Sequence, residues 1–137
     1  MSEPPQPARK MPSGIFATLD RLDYSFNPVH APTGRPHLFA YHVTIHNHSD
    51  APITILARKW ILTYENGEID VIEGEKVIGK TPTLQPGHAF SYSSFHLVPM
   101  NALARGAFHG ISASGEQVTI SLPEFALSLP EAPHDSD

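Results

Sequence analysis

Cysteine is absent from this 137-residue chain, so neither a disulfide nor a thiolate-bound metal can be part of its design. Charge is sparse as well, at 17% of residues, and its balance is −5 with histidine neutral. The segment 131–137 contributes −3 and the first fourteen residues +1, which leaves −3 on the body and no basic patch. Broad capture of nucleic acid through phosphate neutralisation is therefore not expected. No apolar run approaches the ~20 residues of a membrane-spanning helix, and the opening Met1-Ser2-Glu3-Pro4-Pro5-Gln6-Pro7 lacks the basic-then-apolar order of a secretory signal. These absences together fit a reducing compartment, and a cytoplasmic setting is the expectation.

Proline is plentiful at 14, and it gathers at the two ends and between the apolar runs rather than inside them. A proline within a central strand would remove a ladder hydrogen bond, so this placement suits many short strands joined by turns. Residues 1–14 read as a flexible, proline-rich lead and 130–137 as a flexible acidic tail, with one domain over 15–129.

Between those ends the apolar pattern has period two. Phe39, Tyr41, Val43 and Ile45 place one face in a core while His42, Thr44, His46 and His48 point the other way. Val118, Ile120 and Leu122 repeat the pattern. Further strands are expected at 16–25, 52–64, 69–73, 88–98 and 104–113, and one helical turn at 101–105. The stretch 53–64 is apolar on both parities, so it is either covered on both sides or, the preferred reading, shifted in phase by a bulge near Arg58 and Lys59. Asn66-Gly67 reads as a two-residue hairpin turn. About seven antiparallel strands with no sustained helix imply an all-β, immunoglobulin- or fibronectin type III-like sandwich. Trp60, the single tryptophan, belongs between its sheets, together with Phe90, Tyr92 and Phe108.

Several motifs are more specific than periodicity. The run Tyr41-His42-Val43-Thr44-Ile45-His46-Asn47-His48-Ser49-Asp50, the segment Ala57-Arg58-Lys59-Trp60-Ile61-Leu62 closing on Asn66-Gly67, the stretch Gly74 to Gly79, then Thr81-Pro82, Leu84 to Phe90, and Leu122 to Leu127 occur in one order. This order resembles the ApaG family from about Phe16 to Leu129. Two departures stand out: Lys59 replaces a usual histidine, and Lys76 replaces the middle glycine of the family's glycine-rich loop. The resemblance implies a sandwich of the kind read above. It also implies an accessory-domain role, a bacterial association with cobalt and magnesium resistance, and no assigned enzymatic activity.

Candidate chemistry is thin. Gly74, Lys76, Gly79 and Lys80 form a tentative anion or pyrophosphate loop, but a dinucleotide fingerprint needs a helix after the loop and none is expected here. His46 and His48 lie two apart on one strand face and are weak metal candidates, with His42 further along it. Arg58 beside Trp60 either stacks and pairs structurally or projects into a binding groove. Ser91, Ser93 and Ser94 lie in sequence near His88 and His96, and Glu73 and Glu75 flank Gly74. Neither set shows the base held by a third group that a nucleophile requires.

The expected function is therefore a non-catalytic binding or adaptor module, without a cofactor, engaging a protein partner or a second copy of itself through a sheet edge. The alternative expectation is a nucleotide- or pyrophosphate-binding protein using the Gly74–Gly79 loop.

Overall fold

The structure is a computed structural model that describes residues 14–29, 34–75 and 79–131. Eight strands follow in order: β1 Ile15–Phe26, β2 His37–Asn47, β3 Ile53–Tyr64, β4 Ile69–Glu75, β5 Thr83–Leu84, β6 Ala89–Val98, β7 Ala102–Ser112 and β8 Gln117–Leu127. They build a three-stranded sheet, β1-β2-β6, and a five-stranded sheet, β4-β3-β7-β8 with β5 beside β3. Every pairing is antiparallel.

The period-two runs explain which faces meet. Phe39, Tyr41, Val43 and Ile45 from β2 are buried against Trp60 and Leu62 from β3, Ala104 and Phe108 from β7, and Ile120 and Leu122 from β8. Each such side chain contributes roughly 1.5–3 kcal/mol by leaving water. The double parity of β3 arises from a bulge, as expected, but it lies two residues earlier than read. The β3–β7 register shifts between Ile55 and Ala57. Leu56 is the extra residue and is exposed, so inward positions switch from Ile53 and Ile55 to Trp60, Leu62 and Tyr64. Arg58 shares this second parity.

Four further details correct the reading from sequence. The stretch 101–105 opens β7 instead of making a helical turn, because Ala102, Ala104 and Gly106 alternate inward between two flanking strands. β4 runs two residues further than expected, so Glu73, Gly74 and Glu75 belong to a strand and not to a loop. The hairpin at Asn66-Gly67 is a three-residue connection. Tyr64 N–H donates to the Glu68 carbonyl, Gly67 N–H donates to the Tyr64 carbonyl, and Gly67 adopts a positive φ of 93°. Finally, the two-residue β5 was not anticipated. The expected flexible end segments lie almost wholly outside the described residues.

Bulges also accommodate two awkward residues. Asp20 is the extra residue of β1 where its pairing with β2 shifts. Pro123 falls in the irregular stretch of the edge strand β8, where a missing N–H leaves no ladder bond unmade. Among the described residues no helix is long and apolar enough to cross a membrane.

Candidate functional site

The two sheets do not close over each other along one margin. There β6, at the edge of the small sheet, and β4, at the edge of the large one, leave a cleft of about 170 Å³ lined by Arg35, Tyr41, Arg58, Trp60, Asp70, Ser94 and His96 among others. The β3 bulge places Arg58 and Trp60 on the same inward parity, so the chain's one indole and one of its arginines enter the cleft together. Gly74, on the neighbouring strand, makes room for the guanidinium: a methyl there would stand 2.7 Å from Arg58 Nη1. Arg58 and Gly74, singled out separately in the sequence, are thus one packing unit.

Arg35 enters from the segment before β2. Its guanidinium donates to the Tyr64 hydroxyl at 3.0 Å and lies 3.2 Å from Asp70 Oδ2, while Tyr64 donates to Asp70 at 2.6 Å. The Tyr64 hydroxyl foremost, with Asp70 behind it, raises the Arg35 pKa against the opposing effect of burial. Asp70 is therefore already engaged from two sides.

Behind these charges lies an aromatic cluster centred on Tyr41. Its ring centroid is 4.8 Å from Trp60, 4.8 Å from His96 and 6.2 Å from Tyr92. Burial raises the Tyr41 pKa and drives that of Tyr92 far upward, so both phenols stay protonated. Burial alone lowers the His96 pKa from 6.5 to about 4, which keeps that ring neutral. The Tyr41 hydroxyl approaches Ser94, Trp60 and Tyr92, but its placement against Trp60 Nε1 and the Tyr92 hydroxyl falls short of a hydrogen bond. Three buried polar atoms, Trp60 Nε1, the Tyr92 hydroxyl and His96 Nε2, consequently have no partner among the described residues. Leaving such an atom unpaired costs about 1–3 kcal/mol.

The remaining sequence candidates are placed elsewhere. Gly79 adopts φ 75° and Lys80 is exposed, while Lys76 lies outside the described residues. Glu73 pairs with Lys59 at 3.3 Å on the outer surface of the large sheet. His46 and His48 both pack on Phe16, at 4.6 and 5.2 Å between centroids, and His46 Nε2 meets the Thr18 hydroxyl at 3.2 Å. Among the described residues no three His, Asp or Glu side chains converge as a metal site.

One arrangement escaped the sequence reading. On the outer face of the small sheet, Ser93 Oγ lies 2.6 Å from His42 Nδ1, and His42 Nε2 lies 3.3 Å from Asp23 Oδ2. Strands β6, β2 and β1 each supply one member, and cross-strand register alone brings them together: His42 is paired with Ser93 on one side and Arg21 on the other. In sequence the serines lie near His88 and His96, whereas the histidine that Ser93 meets is 51 positions away. The same face carries Asp20, which accepts from Thr44 and Thr18 and has its pKa lowered chiefly by the Thr44 hydroxyl.

A small antiparallel sandwich with an arginine-lined cleft at one open margin is the class of protein that this architecture defines. The chain belongs to the ApaG domain family, whose pattern matches residues 29–111. Protein ApaG of Dechloromonas aromatica is 35% identical over 104 residues, covering 75% of this chain and 82% of that one. Protein ApaG of Caulobacter vibrioides is 35% identical over 97 residues, covering 70% and 69%. Among solved structures, the putative ApaA protein from Bordetella pertussis superposes with a TM-score of 0.70 at 26% identity, over 86% of this chain and 97% of that one. An X-ray structure from a structural-genomics programme superposes with a TM-score of 0.73, also at 26% identity, over 89% and 92%.

Proposed function

We propose that this domain is a non-catalytic binding module that engages an extended segment of a protein partner along β4. The observation that carries the reading is the edge itself. β4 ends the five-stranded ladder, so its outward N–H and C=O groups form a template for one further strand. Ile69 and Val71 are 58% and 55% exposed on it, two large apolar side chains on one parity of a seven-residue edge strand. An added strand would cover both, with backbone pairing for affinity and alternate side chains for selection.

The strand order supports an immunoglobulin-like frame for such a role. Lettered A to G with β4 as C′ and the short β5 left aside, the sheets read A-B-E and C′-C-F-G, the pairing scheme of that class with the fourth strand on the larger sheet. A cytoplasmic setting accords with a cysteine-free chain.

Ile69→Lys combined with Val71→Lys tests the reading, since both side chains are exposed and the fold does not depend on them. Proteins retained specifically from host-cell lysate by the unsubstituted domain should be lost with the double variant. Retention that is indifferent to both substitutions would count against the β4 margin. If sedimentation reports a dimer that the same pair disrupts, the occupant is a second copy of this chain.

A further inference from the structure

We infer that the segment added along β4 is a basic strand, whose alternate positions on one face read as two lysine or arginine residues followed by two apolar residues. The inference rests on the β4 reading above and names the chemistry of the partner.

The side chains of β4 divide by parity. Ile69, Val71, Glu73 and Glu75 stand on the outer face of the large sheet, while Asp70, Ile72 and Gly74 turn toward the cleft side. A strand laid along the free edge repeats this alternation. Its outer-face side chains therefore meet Ile69 and Val71 at one end and Glu73 and Glu75 at the other.

Charge decides what those side chains are. From Glu65 to Glu75 the hairpin carries five carboxylates and no base. Two of them are engaged away from the outer face: Asp70 by Arg35 and the Tyr64 hydroxyl, and Glu65 by the Asn101 amide. Glu73 meets Lys59 at 3.3 Å, but Lys59 belongs to β3 and approaches from the side away from the free edge. A carboxylate accepts from more than one donor, so Glu73 can take a second base from the edge side. Glu75 has no ion pair among the described residues. Opposite charges directly across a strand pair stabilise it and like charges destabilise it, so this end of β4 favours bases and disfavours acids. The cleft parity offers a base nothing comparable, because Asp70 is already bonded from two sides and Ile72 and Gly74 carry no charge.

Direction fixes the order. Every ladder in the protein is antiparallel, and antiparallel pairing is the more stable per residue. In that direction the residue across from Glu75 comes first, and the partner reads base, any, base, any, apolar, any, apolar.

The test titrates the isotope-labelled whole chain with three acetylated and amidated heptapeptides: Lys-Thr-Lys-Thr-Val-Thr-Val, its acidic counterpart Glu-Thr-Glu-Thr-Val-Thr-Val, and a parity-shifted form, Thr-Lys-Thr-Lys-Val-Thr-Val. The first should shift the backbone amides of Ile69–Glu75 saturably and bind at least about threefold more tightly than either control. Added salt should reduce that advantage. Glu73→Lys combined with Glu75→Lys should reverse the preference in favour of the acidic peptide. Both side chains are exposed, and Glu73→Gln with Glu75→Gln, which should erase the preference, serves if the reversed pair loses a folded spectrum. Equal affinities for the three peptides, with the β4 amides still responding and Ile69→Lys with Val71→Lys still abolishing the response, would overturn the basic pattern and leave the edge reading intact. No response at β4 to any peptide, or one that survives Ile69→Lys with Val71→Lys, would overturn the edge reading and this inference with it.

Discussion

Gly106 on β7 faces Trp60 on β3 so closely that a methyl group at position 106 would stand 2.7 Å from Trp60 Cζ3 and 2.8 Å from Cη2. The ring has little freedom to yield. Its indole is 1% exposed and lies edge-on to Phe125 at 5.8 Å and to His96 at 4.8 Å between centroids. Glycine is therefore required at 106 by space and not by backbone conformation. Gly106→Ala should lower the unfolding free energy by about 1–3 kcal/mol, the usual range for inserting a methyl into a filled core. In urea denaturation, Trp60→Phe should recover part of that loss when combined with Gly106→Ala, because the smaller ring opens the contested space. Additive effects of the two changes would show that the contact is not the cause.

The acid limb of stability should bear the mark of His96. Burial holds its pKa at about 4 in the folded chain against 6.5 when unfolded. The unfolded state therefore binds more protons between those values, and stability must fall as the pH drops from 6.5 toward 4. At ~1.4 kcal/mol per pH unit the loss approaches about 3 kcal/mol across the window. Urea midpoints measured at pH 7.5, 6, 5 and 4.5 should follow this slope, and His96→Leu should flatten it. A slope preserved in the variant would place the acid sensitivity on other groups.

Much of this architecture is legible in the sequence. Alternation marked the inward faces of β2 and β8, and the double parity of β3 announced a bulge, because a slip of one residue is the only way a strand can bury both sets on one sheet face. Position was harder than existence: nothing local distinguishes Leu56 from Lys59 as the residue to be extruded. The opening of β7 was misread because Asn101-Ala102-Leu103-Ala104-Arg105 has high intrinsic helix propensity, and pairing with β3 and β8 overrides it. The candidate site was legible only in parts. Arg58, Trp60 and Gly74 each attracted notice, yet their assembly with Arg35 and His96 depends on the meeting of two sheet margins, which no spacing in the sequence encodes. His42 and Ser93 likewise meet only through register.

Asn47, at the end of β2, is a buried polar residue whose side chain replaces missing backbone pairing. It is fully shielded, its Nδ2 donates to the carbonyls of Ala51 at 2.9 Å and Leu84 at 2.8 Å, and its Oδ1 accepts from the Ser49 N–H and hydroxyl. It thereby ties the β2–β3 turn to β5. Asn47→Ala removes these partners while leaving the backbone groups enclosed, so a loss of about 1–3 kcal/mol is expected. Asn47→Asp keeps the acceptor but places an anion against two carbonyl oxygens, and it should destabilise at least as much at pH 7. Amide exchange of the turn 48–52 should quicken in both variants, and unaltered protection there would refute the tie.

The chain from Ser93 through His42 to Asp23 has the connectivity of a nucleophile, a base and an orienting carboxylate, so its chemistry can be tested against its setting. Acyl transfer draws its largest acceleration from donors aimed at the developing oxyanion. Here the backbone amides of β1, β2 and β6 lie in the plane of the sheet, directed into its ladder or outward from its edges and not toward the face that carries Ser93, and neither cleft beside Arg58 is lined by Ser93, His42 or Asp23. The side chains are also open to water, with His42 36% and Asp23 44% exposed, and Asp23 is shared with Arg21 at 2.8 Å. A serine-directed fluorophosphonate should therefore label Ser93 no faster than it labels the other serines, and His42→Ala should not alter that rate. Rapid, stoichiometric labelling at Ser93 that His42→Ala and Asp23→Asn both abolish would overturn the non-catalytic reading of this fold, because it would demonstrate a base acting on a nucleophile in the absence of a formed oxyanion hole.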